Sequence, residues 1–197
     1  MSATFPDAVV LEGHGIRLEP FERRHLPGLW RAIGRPEVFA DGYGGGPAGL
    51  PDDEAAFADW FPVRSRHETG GRCWVVVRDG EVLGSSSMLN IVLEREHVEI
   101  GATAYTPAVW GTAVNPATKL LLLTHAFAHG FGRVAIRTDV RNAHSRAAIL
   151  KLGATFEGVL RRDVRRADDT WRDTAVFSIT VDDWPRVRAG LEARLEE

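Results

Sequence analysis

The sequence predicts a mixed α/β fold, built as one domain over residues 1–197. Stretches in which apolar and polar residues alternate, as in half-buried strands, are interspersed with stretches at helical spacing. Several predicted strands follow one another with no helix between them, which favours a sheet of mixed direction over a doubly wound parallel sheet. With 197 residues, 44 % of them hydrophobic, the chain is long enough for one packed core. Such a core needs no metal or disulfide.

Strand and helix signals alternate in the first part of the chain. VVLEGHGIRLEPF predicts a strand pair or one bulged strand, and ERRHLPGLWRAIG then places leucine, tryptophan and isoleucine at helical spacing. Residues 36–51 are rich in glycine and proline, which predicts a mobile functional loop. A second helix is predicted in PDDEAAFADWFPVRSR.

The second part of the chain contains most of the strands. RCWVVVRDGEVLGSSSMLNIVL predicts a hairpin that turns at Asp79 and Gly80, and HVEIGATAY and RVAIRTDV predict two further strands. RNAHSRAAILKLGA indicates a short helix that begins at Asn142 and ends at Gly153. Two long strands around a polar turn and a terminal helix, DDWPRVRAGLEARLEE, complete the order.

Composition argues against several classes of partner. The net charge of −3, from 24 basic and 27 acidic side chains, creates no overall field that attracts nucleic acid. The densest basic cluster, LRRDVRR, is interrupted by Asp163 and is typical of an exposed hairpin edge. The single cysteine, Cys73, fits a reducing compartment, and neither a signal peptide nor a membrane span is evident. We therefore expect a cytoplasmic protein with no nucleic-acid or membrane partner.

Two histidines, His125 and His129, have the spacing of a zinc-protease helix. Ala126 lies where that motif requires a glutamate base, and no third ligand is evident. Structural or solvated histidines explain the pair better, so we expect no metal.

A small turn precedes a helix start in VWGTAVNPATKLLLL. Asn115 is predicted to be the N-cap and Pro116 the first helical residue. Gly111, Thr112 and Ala113 are small enough for backbone amides to approach an anion at the helix start, although a purely structural turn explains them as well. Neither the P-loop motif nor the three-glycine dinucleotide motif is present.

These segments together resemble the GNAT superfamily of N-acetyltransferases, and specifically its RimJ/RimL-like branch. The resemblance covers roughly residues 9–195 and is carried by VEIG, WGTAVNPATKLLLLTHAF, RTDVRNAHSRAAILKLGA, FEGVLRR and RDTAVFSI in order. It implies a mostly antiparallel, twisted sheet of about seven strands with flanking helices. The loop signature Q/R-x-x-G-x-G/A aligns with AVWGTA, in which Ala108 replaces the usual glutamine or arginine.

The resemblance implies acetyl-CoA as cosubstrate and assigns residues to it. The loop would bind the pyrophosphate through backbone amides, and the strand HVEIGATAY would lie beside the pantetheine arm and receive the thioester oxygen. Arg146 and Lys151 either meet the outer phosphate or only solvate their helix. The expected cofactor-binding residues are Gly101, Ala102, Thr103, Trp110, Gly111, Thr112, Ala113, Asn115, Asn142, Ser145, Arg146 and Lys151.

Glu99 is the predicted catalytic base. Acetyl transfer to an amine needs a group that accepts the amine's proton, and Glu99 lies between apolar residues in the strand that leads to the glycine turn. Simple alternation places it on one face with Thr103 and Tyr105. A solvated edge glutamate is the alternative, but the RimJ/RimL-like branch often has a glutamate base here.

No obvious acid is present. The tyrosine that many relatives place in the helix after the next strand aligns with Ile149. The branch's N-x-x-S pattern matches Asn142 and Ser145 and implies that Ser145 is the catalytic residue on the thiolate side. Helix capping is the alternative role for Asn142.

For the acceptor, position in the implied fold suggests Trp30, Phe39, Tyr43 and Trp60 as apolar walls beside Glu99. The acidic residues Asp41, Asp52, Asp53 and Glu54 would suit a cationic acceptor, although a capped, solvated helix start explains the last three equally well. We expect an N-acetyltransferase that transfers acetyl from acetyl-CoA directly to a primary amine of a small molecule or a protein N-terminus, as a monomer or homodimer. The alternative is a catalytically weak acyl-CoA-binding sensor or interaction module.

Overall fold

The protein forms one eight-stranded sheet with helices on both faces, and the computed structural model describes residues 2–196. The strands are β1 Leu11–Gly13, β2 Ile16–Pro20, β3 Arg72–Arg78, β4 Glu81–Val92, β5 His97–Tyr105, β6 Arg133–Asp139, β7 Thr155–Arg165 and β8 Trp171–Thr180. The helices are α1 Leu26–Ile33, α2 Pro36–Ala40, α3 Glu54–Arg64, α4 Val114–Ala128, α5 Ala143–Lys151 and α6 Trp184–Glu196.

The strand order is β1-β2-β3-β4-β5-β6-β8-β7, and every neighbouring pair is antiparallel except β5 and β6. This confirms the predicted mixed, mostly antiparallel sheet, with one strand more than the seven expected. The opening stretch is a true strand pair in which Leu11 faces Leu18. Asp79 and Gly80 have φ values of 52° and 79°, the left-handed conformation that suits a two-residue hairpin turn.

The larger core lies between the sheet and helices α4 and α6. Trp74, Met88 and Ile100 from the sheet pack there with Leu122 of α4, and all four are at most 1 % exposed. His125 of α4 and His129, the C-cap residue of this helix, hold the N-terminal segment against it. His125 Nε2 lies 3.1 Å from the Asp7 carbonyl oxygen, and the Asp7 amide donates to His129 Nε2 over 3.2 Å.

The second core lies on the opposite face, under α1, α2 and α3. Phe39, Phe57 and Phe61 are completely buried there against Val75 of the sheet. Asp53 is the N-cap of α3, and its Oδ1 accepts a hydrogen bond from the Ala56 amide at 2.8 Å.

Residues 36–51 are more structured than their composition predicts. They contain α2 and two 3-10 turns, Tyr43–Gly45 and Pro47–Gly49. Phe39 anchors the segment in the core, and its ring lies 5.2 Å from that of Tyr43. Glycine is required at Gly44, where φ is 66° and a Cβ would stand 2.4 Å from the Phe39 ring. Buried aromatic side chains therefore order a segment that glycine and proline content alone suggested was mobile.

The prediction for the start of α4 was wrong by two residues. The helix begins at Val114, its cap position is Ala113, and no side chain makes a capping hydrogen bond. The Asn115 side chain accepts instead from the Tyr105 hydroxyl at 3.3 Å. Pro116 still lies in the first turn, where its missing amide hydrogen costs no helical hydrogen bond.

Candidate active site

The main cleft opens where β5 and β6 separate. The two strands pair only from His97 to Glu99 and from Arg133 to Ala135, and then diverge. From Ile100 onward, the edge of β5 that faces β6 therefore has no strand partner. The resulting cleft has a volume of about 550 Å³ and reaches residues on both faces of the sheet.

A β-bulge in β5 turns side chains within the cleft. Ala102 has a φ of 46°, and the register with β4 shifts so that Ser86 lies opposite the bulge. Beyond it, Thr103 points to the α4 face, where its Oγ1 lies 2.7 Å from Ser86 Oγ. Glu99 lies on the other face. The expectation that Glu99, Thr103 and Tyr105 share one face was wrong, because the extra residue reverses the alternation.

The glycine turn forms one end of the cleft. Gly111 has a φ of 76°, and no heavy atom lies within 4 Å of the point where its Cβ would stand. Trp110 donates from its indole to the Tyr105 carbonyl over 3.0 Å, and Thr112 Oγ1 donates to the Val109 carbonyl over 2.7 Å. These bonds fix the turn ahead of α4. Trp110, Gly111 and Thr112 line the cleft, whereas Ala113 does not.

Helix α5 forms the opposite wall. Asn142 caps it as predicted, since its Oδ1 accepts from the Ser145 amide at 2.7 Å. Its Nδ2 also donates to the Asp41 carbonyl over 2.8 Å, which ties α5 to the segment after α2. Asn142, Ser145 and Lys151 line the cleft. Arg146 does not, and its Nη1 donates to the Val140 carbonyl over 3.3 Å.

Glu99 is buried beside the cleft and is held by one carboxylate oxygen. Asn90 Nδ2 donates to Oε2 over 2.9 Å, and Arg137 Nε lies 3.3 Å from the same oxygen in an ion pair. Oε1 accepts no hydrogen bond within residues 2–196. It lies 3.1 Å from the point where a Cβ on Gly101 would stand. Because Gly101 and Arg137 line the cleft, the free oxygen is adjacent to the wall, although Glu99 is not itself a lining residue.

Lys119 of α4 is a candidate that sequence reasoning missed. It lines the cleft, is 4 % exposed, and donates from Nζ to Thr103 Oγ1 over 2.8 Å and to Ser86 Oγ over 3.2 Å. Across the described residues, no carboxylate lies within 4.0 Å of it. Burial lowers the pKa of Lys119 to about 7. The available signal was a lone lysine within an otherwise apolar helix.

Only one of the predicted acceptor walls reaches the cleft. Tyr43 lines it, but Phe39 is fully buried, and Trp30 packs in the second core with its ring 5.5 Å from Phe57. Trp60 packs against Phe39 in the same core. Trp30, Phe39 and Trp60 therefore pack α1 to α3 together and do not form the cleft surface.

The acidic residues that suggested a cationic acceptor are also placed differently. Asp53 caps α3, while Asp52 and Glu54 are exposed and lie outside the cleft. Asp41 is exposed at the cleft margin. Four arginines line the cleft. Arg194 of α6 donates from Nη1 to the Lys151 carbonyl over 2.8 Å, at the end of α5. The other three are Arg64, Arg137 and Arg172.

The family model for the acetyltransferase (GNAT) domain matches residues 16–155, most of the chain. The chain belongs to the GNAT acetyltransferase family. The separated β5 and β6, with the glycine turn between β5 and α4, are therefore features of an acyltransferase domain.

Solved structures confirm the GNAT fold over nearly the whole chain. A protein assigned as an acetyltransferase from T. thermophilus is 36 % identical, with a TM-score of 0.86 and 98 % of each chain covered. A GCN5-related N-acetyltransferase from Brucella melitensis is 23 % identical, with a TM-score of 0.88 over 98 % of this chain and 88 % of that one. RimJ from Mycobacterium smegmatis, in complex with CoA-disulfide, is 21 % identical, with a TM-score of 0.78 over 98 % and 97 %. At these lower identities the likeness shows the fold alone. A comparison with curated proteins found no match.

Within residues 2–196, no cluster of three or more histidine, cysteine, aspartate or glutamate side chains is arranged to hold a metal ion. No helix in the same range is both long and apolar enough to cross a bilayer.

Proposed function

We propose that this GNAT protein is an acetyl-CoA-dependent N-acetyltransferase that acts on a primary amine of a small molecule or a protein N-terminus. The observation that carries the proposal is the unpaired edge of β5. It runs from the region of Glu99 to the glycine turn and lines a cleft open to both faces of the sheet. A long cosubstrate along this edge can be approached by an acceptor from the other face.

The residues of the cleft fit acetyl-CoA. The open space at Gly111 and the start of the 15-residue helix α4 together form a place for a diphosphate, since backbone amides and the helix dipole both favour an anion there. The free edge of β5 offers backbone donors and acceptors to an extended arm, as an added strand would use them. The complex of Mycobacterium smegmatis RimJ with CoA-disulfide supports a CoA-type ligand for this fold. Acetyl-CoA bound there would supply an acetyl group activated as a thioester.

Glu99 is proposed to accept the amine's proton at Oε1, directly or through a water molecule. Asn90 and Arg137 fix the carboxylate through Oε2, so the free oxygen is held in place beside Gly101. A base is useful because a free α-amine has a pKa of about 8 and a lysine side chain about 10.4, so both are mainly protonated at neutral pH.

Lys119 and Ser145 are proposed to act on the opposite side of the cleft, where negative charge develops as a thiol departs. Lys119 holds a proton at Nζ in a buried, uncompensated position, and a group that titrates near neutral pH transfers a proton readily. The Ser145 hydroxyl is a weaker donor by itself. This division of roles gives the site an acid even though Ile149 replaces the tyrosine that many relatives use.

Three broader assignments belong to the same proposal. The chain is a single domain of the RimJ/RimL-like branch, which rests on the joint sequence motifs and on the RimJ structure among its neighbours. Acetyl transfer proceeds by direct attack in a ternary complex, because the cleft reaches both faces of the sheet at once. The protein is cytoplasmic, and a monomer or homodimer.

Thiol release from acetyl-CoA across a panel of primary amines tests the proposed function. We expect release that depends on both acetyl-CoA and an amine, with the acetyl group recovered on the amine by mass spectrometry. Tight CoA binding without turnover of any amine would instead favour the alternative, a catalytically weak sensor on the same fold.

A further inference from the structure

Three arginines converge at the acceptor end of the cleft, on the face of the sheet that carries Glu99. Arg64 ends α3, Arg137 lies on β6, and Arg172 lies on β8. They come from three separate elements, so no local sequence pattern brings them together. An arginine is costly to bury without an anionic partner. The carboxylates near these three arginines therefore need to be identified.

The carboxylates of the region are largely committed to other partners. Asp139 is bound by Arg166, whose Nη2 lies 2.6 Å from Oδ2, and Glu99 pairs with Arg137. Glu37 and Asp41 are exposed at the cleft margin. Within residues 2–196, neither Arg64 nor Arg172 has a carboxylate oxygen within 4.0 Å.

Arg64 and Arg172 also carry signs of unfilled hydrogen-bonding capacity. Arg64 Nε and the Tyr43 hydroxyl are both buried without a hydrogen-bond partner. The Arg64 guanidinium lies over the Tyr43 ring, 5.5 Å from its centroid. Arg172 donates from Nε to Thr174 Oγ1 over 3.0 Å, which leaves the outer part of its guanidinium free for a ligand. Burial lowers the pKa of Arg172, and the positive charge of Arg64 lowers it further against the opposing effect of Asp139. Buried polar groups without partners are places where a ligand or an ordered water molecule can complete the hydrogen bonds.

We infer that the acceptor amine carries an anionic oxygen group, a carboxylate or a phosphate, which is bound between Arg64 and Arg172 beside the Tyr43 hydroxyl. This inference rests on the proposed N-acetyltransferase function and names the class of its acceptor. Guanidinium groups match the planar and tetrahedral oxygen arrangements of these two anions. With the anion at the arginines, the amine of the same molecule is directed toward Glu99, which shares this face of the sheet.

Matched pairs of amines test the inference in the intact protein. Each pair differs only in the anionic group: 4-aminobutyrate with 4-aminobutanamide, glycine with glycinamide, and phosphoethanolamine with ethanolamine. The first two pairs report on a carboxylate and the third on a phosphate. We expect kcat/KM to favour the anionic member of at least one pair by about 10- to 100-fold, the range expected for hydrogen bonds to a charged group.

The double variant Arg64→Gln/Arg172→Gln should reduce this preference to nearly 1, while the KM for acetyl-CoA stays unchanged. Arg78→Gln, which changes an exposed arginine on β3 away from the cleft, serves as the control and should keep the preference. A retained KM for acetyl-CoA also shows that the double variant is folded. Equal kcat/KM values for the neutral and anionic members in wild type would overturn the inference and leave the proposed function intact.

A binding measurement separates failure of the inference from failure of the proposed function. Inorganic phosphate is titrated into protein saturated with CoA, so that the diphosphate site at Gly111 is already filled. We expect one phosphate site that is lost in the double variant and kept in Arg78→Gln. If wild type acetylates no amine, the proposed function fails, and this titration, repeated with acetate, decides whether the arginine pair binds an anion. Absence of binding of both phosphate and acetate would then overturn the inference as well.

Discussion

Glu99 is anchored through Oε2 and leaves Oε1 beside the cleft wall, so its replacement separates chemistry from binding. Glu99→Gln keeps the size and the contact with Arg137 but removes the basic oxygen. We expect kcat to fall by about 100-fold or more, as for loss of a general base, while CoA affinity is retained. Initial rates of thiol release and calorimetry with CoA measure the two effects.

The matched control is Glu94→Gln, because Glu94 is an exposed glutamate in the turn that leads into β5. Its kcat should equal that of wild type. A Glu99→Gln enzyme with wild-type rates from pH 6 to pH 9 would exclude Glu99 as the base.

The burial of Lys119 makes the free energy of unfolding depend on pH. Its pKa is about 7 in the folded protein, whereas its ordinary value is 10.5, because burial disfavours the charged form of the side chain. Between these two pH values the unfolded chain binds more protons than the native one, and the stability of wild type therefore rises with pH.

In Lys119→Met this pH-dependent term is absent. Ser86 and Thr103 still satisfy each other at 2.7 Å in that variant. We expect the stability of Lys119→Met relative to wild type to decrease by up to about 1.4 kcal/mol for each pH unit above 7. Urea denaturation of both proteins at pH 7, 8 and 9 checks this, and parallel stability curves would contradict the lowered pKa of Lys119 in the folded protein.

At the residue scale, the sequence identified the groups with a local signature and missed those defined by packing. Asn142 was recognised because a cap is a local pattern, and the structure confirms its bond to Ser145. Lys119 and Arg172 were missed because their significance depends on which strands cover them. Phe39 was misassigned to the acceptor for the same reason: burial, not residue type, decides between a wall and a core.

The glycine turn is the element that we propose binds the diphosphate of CoA through its backbone. Gly111→Val places a β-branched side chain at a φ of 76°, in the open space proposed for the diphosphate. We expect CoA affinity to fall by at least about 10-fold, because hydrogen bonds between amides and an anion are lost. Calorimetry measures this affinity.

Gly70→Val is a matched control for backbone strain. Gly70 has a φ of 88° and equally open surroundings, but it lies outside the cleft. Both variants should lose comparable stability, whereas only Gly111→Val should lose CoA binding. Normal CoA affinity in Gly111→Val would contradict the proposal that the turn binds the diphosphate of CoA.

Helix α5 depends on its cap for stability and for its position at the cleft. Asn142→Ala removes the bond to the Ser145 amide and the bond to the Asp41 carbonyl. We expect a loss of about 1 kcal/mol in unfolding free energy, typical of an N-cap, together with a higher KM for acetyl-CoA. Asp53→Ala removes the equivalent cap of α3 at 2.8 Å, and should cost similar stability without changing KM. Equal KM values in the two variants would show that Asn142 is a cap and nothing more.

At the element scale, periodicity located the strands and the longer helices, because each of these segments has one buried face. It could not locate the bulge at Ala102, where a non-glycine residue has a φ of 46° and reverses the alternation of β5. Capping signals placed the N-cap of α4 at Asn115, because Asn-Pro is a strong start signal. The Asn115 side chain instead accepts a hydrogen bond from the Tyr105 hydroxyl.

For the whole molecule, the separation of β5 from β6 is the feature that creates the site. No single segment encodes it, since β5 must pair with β4 along most of its length and with β6 only over three residues. The family resemblance implied a cofactor arm beside the strand HVEIGATAY, but it did not predict the separation of β5 from β6. The convergence of Arg64, Arg137 and Arg172 is likewise a property of the assembled sheet and helices.

The proposal that CoA binds in the cleft between β5 and β6 is best tested by a crystal structure of the protein with CoA. We expect the pantetheine arm along the unpaired edge of β5 beyond Glu99, and the diphosphate at Gly111 ahead of α4. CoA bound elsewhere on the protein, with the gap between β5 and β6 empty, would contradict the proposal.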